Sequence, residues 1–254
     1  MSDPFVTLAV ASGATFALAV LSAVAGFGGG VLLLPVFTAL FGLRVAVPIL
    51  TLTQLSSNGS RVWLNRRDVH WPLVGWFALG AVPFAAGGGL LLAHAPLGPL
   101  KRLLGAFLIA MVLWRRRDPK PRRDPKPQRD PKPRRSPARV FAAVGASSGL
   151  GSALLGSVGP LTAPFFLAYG LTRAAYIGTE AAAALVLHLS KIAGYGAGAL
   201  LTREVLLYGA ALTPAALLGA WAGRKLVGRI SDKVFVTLVE SGLLVAGALF
   251  LAGL

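Results

Sequence analysis

Gly26-Phe27-Gly28-Gly29-Gly30-Val31-Leu32-Leu33-Leu34-Pro35 interrupts an apolar stretch that runs from residue 5 to residue 42. A helix needs about 20 apolar residues to cross a hydrocarbon core roughly 30 Å thick, so the stretch is too long for one span. A cluster of glycines breaks a helix, which divides the stretch into two segments joined at Gly26–Gly30. Backbone groups freed by such a break are tolerated at membrane depth only where they are buried or line a cavity. The stretch therefore predicts an all-α membrane protein with discontinuous helices.

The same pattern returns in the second half of the chain. Pro35 follows the first glycine cluster by five residues and leads to Phe41-Gly42-Leu43-Arg44. Gly156-Ser157-Val158-Gly159 is likewise followed five residues later by Pro164, then by Tyr169-Gly170-Leu171-Thr172-Arg173. Further on, Ala81-Val82-Pro83 and the small residues up to Gly89 parallel Leu212-Thr213-Pro214 and the run up to Gly223. The shared order and spacing indicate an internal duplication.

Between the halves lies a segment that repeats Arg-Asp-Pro-Lys-Pro three times. Proline removes backbone donors and favours polyproline II, and like charges repel, so this is a semi-rigid solvated tether. The organisation predicted is a first membrane repeat over 1–115, a basic Pro-rich linker over 116–138 and a second membrane repeat over 139–254.

Composition agrees with a bilayer as solvent. The chain is 55% apolar, only 13% charged, and has a mean hydropathy of +0.70, whereas a soluble domain carries about 25% charged residues. The 31 glycines suit closely packed membrane helices. The net charge of +16 does not signal nucleic acid, because 12 of the 25 Lys and Arg residues lie between Arg115 and Arg139 and most others sit at the ends of apolar runs. With no cysteine, disulfides and thiolate chemistry are excluded. Residues 5–25 lack a basic region before them and run on into further apolar sequence, so a cleaved signal peptide is not expected.

Charge also tests the number of segments. Five per half are read, at 5–42 as two segments, 45–64, 71–93, 99–115, 139–155, 160–171, 174–200, 204–223 and 233–254. With the linker cytoplasmic and every segment crossing, twenty basic residues fall inside and four outside, namely Arg44, Lys101, Arg102 and Arg203. Four crossings per half would place the 224–233 cluster outside and invert the balance outside the linker, against the positive-inside rule. An odd number makes the halves inverted repeats, the arrangement of many secondary transporters. The segments near 31–42 and 160–171 span only about 18 Å. Each glycine-linked pair reads either as two crossings or as a re-entrant hairpin, giving eight to ten segments in all.

Candidate site residues lie at the breaks and on the helix after each. Free N–H groups at Gly28, Gly29 and Gly30, and near Ser157 and Gly159, form a natural anion cradle at a helix N-terminus; the plainer reading is a tight hairpin or a close helix crossing. Thr51, Gln54 and Asn58 fall within about 60° of a helical wheel, with Ser57 beside them, and Glu180, His188 and Lys191 fall within about 80°. Ionisable groups at membrane depth are costly and mark functional sites. Glu180 and Lys191 are roughly 16 Å apart along the helix axis, so Lys191 takes another partner: a bound anion, or structurally a carboxylate such as Glu240. Glu180 and His188 are the candidates for proton coupling. Neither an enzyme nor a metal site is expected, since His70, His94 and His188 have no metal-ligand spacing and no phosphate-cradling loop with its lysine is present. No cofactor is expected either.

The Gly26–Gly30 cluster, Val31-Leu32-Leu33-Leu34-Pro35 and the Gly42-Leu43 turn resemble the sulfite exporter TauE/SafE family, as does the polar helix leading through Asn58 into Asn65-Arg66-Arg67-Asp68-Val69-His70. The resemblance covers roughly 8–115 and 140–254. Where a member of that family usually repeats a triple glycine in its second half, this chain has Gly156-Ser157-Val158-Gly159-Pro160. The resemblance implies a multi-pass carrier of the bacterial inner membrane for sulfite, thiosulfate or organosulfonates. The partners expected are the small anion and the lipid bilayer, with a homodimer left open and nucleic acid excluded. Two other functions fit the sequence: a carrier or channel for a different small anion, and a membrane scaffold acting through the basic linker.

Overall fold

A computed structural model describes residues 4–25, 30–117, 137–156, 162, 165–166, 169–171, 173–226 and 232–253. Nine α-helices make up nearly all of the described residues: α1 Pro4–Ala25, α2 Gly30–Phe41, α3 Leu43–Leu64, α4 Trp71–His94, α5 Leu97–Arg117, α6 Val140–Leu155, α7 Arg173–Ala197, α8 Arg203–Leu226 and α9 Asp232–Leu251. They coincide with the segments read from the sequence to within a few residues. The segment expected at 160–171 and the linker lie mostly outside the described residues.

The exterior is apolar like the core, unlike that of a soluble globule, and a few polar side chains are buried among the core residues. Leu79, Leu207, Leu218 and Val245 are more than half exposed, while Thr51, Asn58, Ser152, His188 and Lys191 are buried. Exposed aliphatic side chains on every side are stable in hydrocarbon, and polar groups gather where protein supplies their partners. Helices Trp71–His94 and Arg203–Gly223 are long and apolar enough to cross a membrane by length and composition alone. They occupy equivalent places in the two halves.

The packing has a regularity of its own. When α1, α3, α4 and α5 are exchanged with α6, α7, α8 and α9, each principal pairing maps onto another or onto itself: α4–α6 onto α8–α1, α4–α7 onto α8–α3, and α3–α7 and α5–α9 onto themselves. The match extends to single residues. A Cβ built on Gly88 would lie 2.8 Å from Ala153 Cβ and 3.4 Å from the Leu150 carbonyl oxygen, and one built on Gly219 would lie 2.8 Å from Ala19 Cβ and against the Phe16 carbonyl oxygen. Gly88 and Gly219 each follow by five residues the proline, Pro83 or Pro214, that marks the repeat.

Direction is fixed by the same contacts. The α3–α7 pair is antiparallel, because Asn65 beyond the end of α3 meets Gly178 near the start of α7, Arg61 meets Glu180, and Asn58 meets His188. Gly105 against Gly247 and Leu251, with Ile109 against Gly247, makes α5 and α9 antiparallel too. By contrast α4 and α6 run side by side, Gly145 on Phe77 and Gly149 on Ala81 and Ala85. So do α4 and α7, from His70 on Thr179 to Ala93 on Gly198.

One end of the bundle therefore gathers the end of α3, the start of α4, the starts of α6 and α7 and the end of α8, with Arg61, Arg66, Arg67 and Lys225. The other end holds Arg44, Lys101, Arg102 and Arg203, while the first end also carries Arg139 and is continuous with the basic linker. Trp63, Trp71 and Trp221 are more than half exposed at the basic end, with Arg66 4.4 Å above the Trp63 ring and Lys225 3.8 Å above that of Trp221. Aromatic rings and snorkelling cations characterise the depth of the lipid headgroups.

Small residues permit the closest helix approach, α4 on α6. A Cβ on Gly145 would collide with the Phe77 carbonyl oxygen, and one on Gly80 with that of Ala142, whereas Gly75 has nothing within 4 Å. Gly145→Ala and Gly80→Ala should each destabilise the protein by about 1–3 kcal/mol through overpacking. Gly75→Ala, in an open helical position, should be neutral or stabilising by about 0.5–1 kcal/mol. Unfolding temperatures in detergent check both directions.

Candidate functional site

The last turn of a helix leaves four carbonyl groups without intrahelical donors, and in hydrocarbon they must find donors within the protein. Helix α6 ends at Gly156, whose φ of 79° and ψ of −47° leave the helical region on the side that glycine adopts freely. Two side chains one turn apart on α7 supply the donors. Lys191 Nζ donates to the Gly156 carbonyl at 3.1 Å and to Ser152 Oγ at 3.0 Å. Tyr195 Oη donates to the Ala153 carbonyl at 2.9 Å. Lys191 and Tyr195 are both 0% exposed and Ser152 is 2% exposed, so this cluster is sealed from the surface.

The α6 C-terminus carries a partial negative charge that offsets part of the ammonium charge. A full counter-charge is missing from the described surroundings: no carboxylate is among the contacts of Lys191, and the pairing with Glu240 weighed from the sequence is not formed. Burying a cation without a carboxylate costs roughly several kcal/mol. An ammonium also has three N–H donors, and two are engaged here.

A second polar chain crosses between α3 and α7. Arg61 donates to Glu180 Oε2 at 2.8 Å and to Asn58 Oδ1 at 3.2 Å, and Asn58 Nδ2 lies 3.1 Å from His188 Nε2. The arginine can only donate, so Asn58 must turn its oxygen toward Arg61 and its amide toward His188. His188 Nε2 is then the acceptor and the proton sits on Nδ1. That Nδ1 is buried and has no partner among the described residues. Glu180 thus fixes the tautomer of a histidine two turns away.

A family model for the sulfite exporter TauE/SafE family matches residues 11–250. The chain belongs to the sulfite exporter TauE/SafE family. Comparison with curated proteins and with solved structures gives no match. The resemblance read from the first glycine cluster thus extends across both halves, and the chain is placed in a family of membrane transporters. For a TauE/SafE chain, a buried lysine at a helix break and a buried histidine whose N–H has no partner among the described residues are features suited to holding an anion.

Not every predicted site residue joins these clusters. Lys191 sits at the second break, and Asn58 with His188 at the α3–α7 crossing. Gln54 and Ser57 are half-buried, and they enter the hydrogen bonding through their backbone carbonyls, which accept from Asn58 and Ser60. Gly30 begins α2, while Gly28, Gly29, Ser157 and Gly159 lie outside the described residues. Thr51, on the polar face of α3, returns its hydroxyl proton to the Val47 carbonyl. Glu180 is held by Arg61 rather than standing free. Arg61, Ser152 and Tyr195 were missed. Arg61 follows Asn58 by three residues and so shares its face, a signal masked by its reading as a topology charge.

Replacing Asn58 by Leu strands His188 Nε2 and one donor of Arg61, at a cost of about 1–3 kcal/mol. Gln54→Leu removes no side-chain hydrogen bond seen among the described residues and should stay within about 0.5 kcal/mol. Thermal unfolding of both variants in detergent separates the two outcomes.

Proposed function

We propose that this chain is a secondary transporter of small sulfur-containing anions, namely sulfite, thiosulfate or organosulfonates, working by alternating access between two inverted halves. The observation that carries the reading is the fully buried Lys191 side chain, held at the Gly156 helix break without a carboxylate partner among the described residues. Family membership supports an anion of sulfur as the cargo. The antiparallel packing of the equivalent helices α3 and α7, and of α5 and α9, supports inversion, because a two-fold axis that reverses helix direction lies across the bundle rather than along it.

In this reading the halves 1–115 and 139–254 rock about a midplane site. The site is made of Lys191, Asn58, Gln54 and Ser57 and the amides at Gly28–Gly30 and Ser157–Gly159. His188 and Glu180 are the coupling residues, joined through Asn58 and Arg61, so that protonation at one is felt at the other. The basic end of the bundle faces the cytoplasm with the linker 116–138, in a bacterial-type inner membrane.

Uptake of radiolabelled sulfite into proteoliposomes tests the reading. The intact chain should accumulate label above protein-free vesicles, and Lys191→Ala should fall to the protein-free level. Undiminished uptake by Lys191→Ala would remove the lysine from the mechanism. Deleting residues 118–135 should leave transport in place; its loss would favour a role centred on the linker.

A further inference from the structure

Helices α3 and α7 cross at equivalent residues. Counted from the first residue of each helix, Asn58 is the sixteenth of α3 and His188 the sixteenth of α7, and these two side chains touch at 3.1 Å. A contact between positions at equal depth in the two helices, which the repeat motifs align to within one or two residues, puts the pseudo-two-fold axis close to it. One turn beyond it on each helix stands a cation, Arg61 on α3 and Lys191 on α7. Because the helices are antiparallel, Arg61 lies toward the linker end of the bundle and Lys191 toward the opposite end. The axis exchanges them.

The axis also exchanges what faces each cation. Arg61 meets Glu180, the eighth residue of α7, at 2.8 Å. The eighth residue of α3 is Leu50, which is 0% exposed. Leu50 and Lys191 abut the same glycine: Leu50 Cδ2 lies 3.1 Å from the position a Cβ on Gly156 would take, and Lys191 Nζ lies 3.1 Å from the Gly156 carbonyl oxygen. The second half thus offers a carboxylate to Arg61 of the first, whereas the first half offers Lys191 only a leucine at the matching position.

We infer that the transported anion takes, at Lys191, the place that the Glu180 carboxylate takes at Arg61. The subsite is bounded by Lys191, Ser152, Gly156 and Leu50. Carboxylate, sulfite and sulfonate heads share the chemistry required, two or more oxygens on one atom sharing negative charge. The choice of cation fits the difference in tenure. Arginine offers a fork of donors that fixes its partners in place, here Glu180 and Asn58, whereas lysine is a compact point charge with rotatable donors that suits a partner which must leave.

This inference rests on the transport reading above, and the experiment separates the two. Sulfite binding to the purified full chain is measured by titration for the unaltered protein and for Leu50→Glu and Leu50→Gln, which match in size and differ in charge. A carboxylate tethered beside Lys191 competes at an effective concentration of about millimolar or more. Leu50→Glu should therefore bind sulfite at least about tenfold more weakly than Leu50→Gln. Equal binding by the two variants overturns the subsite and leaves the transport reading intact; absence of sulfite binding by the unaltered chain overturns both. Should Leu50→Glu not be recovered folded, Glu180→Gln gives the answer. By releasing Arg61 it should raise the stoichiometry from one sulfite per chain to two, and a stoichiometry that stays at one overturns the equivalence of the two cations.

Discussion

A carbonyl group in hydrocarbon has no water to turn to, and this constraint organises the centre of the molecule. Helix α6 stops inside the bundle at Gly156, and its last carbonyls would be orphaned there. The Lys191 ammonium and the Tyr195 hydroxyl, one helical turn apart on α7, cover the Gly156 and Ala153 oxygens. A broken helix therefore demands a donor-rich neighbour, and a lysine used as that donor brings a charge into the core. The glycine break, the polar face of α7 and the close packing of α4 on both α6 and α7 are consequences of one another.

Matching contacts recur across the frame, and the polar clusters lie where they stop matching. Gly88 and Gly219 repeat each other's packing almost atom for atom, since close backbone approach admits no substitute for a hydrogen side chain. At the α3–α7 crossing the halves diverge instead: asparagine faces histidine, and arginine answers lysine. Of these two cations, Arg61 has its own counter-ion in Glu180.

Much of the frame was legible in the sequence. Apolar runs, glycine breaks and the placement of Arg and Lys gave the helices to within a few residues, because hydrocarbon thickness and backbone satisfaction leave few alternatives. The polar face of α7 was legible as well, since 3.6-residue periodicity places Glu180, His188 and Lys191 together. Which helix each of those residues meets was not. Periodicity fixes the face of a helix but says nothing of the facing partner, so Arg61 counts in the sequence only as one of the inside charges, whereas in the structure it pairs with Glu180. Ser152 and Tyr195 were hidden for a related reason. A serine in a small-residue helix and a tyrosine after a glycine gain meaning only once α6 and α7 are seen to touch.

The tryptophans have a consequence for how the molecule can be observed. Trp63, Trp71, Trp76 and Trp221, four of the five tryptophans of the chain, are exposed near the basic end. The emission of these four thus originates at a single leaflet. A lipid-borne quencher confined to one monolayer would darken that emission in a uniformly inserted population almost wholly or hardly at all. The chain carries its own optical label for orientation, with no tag or fusion needed.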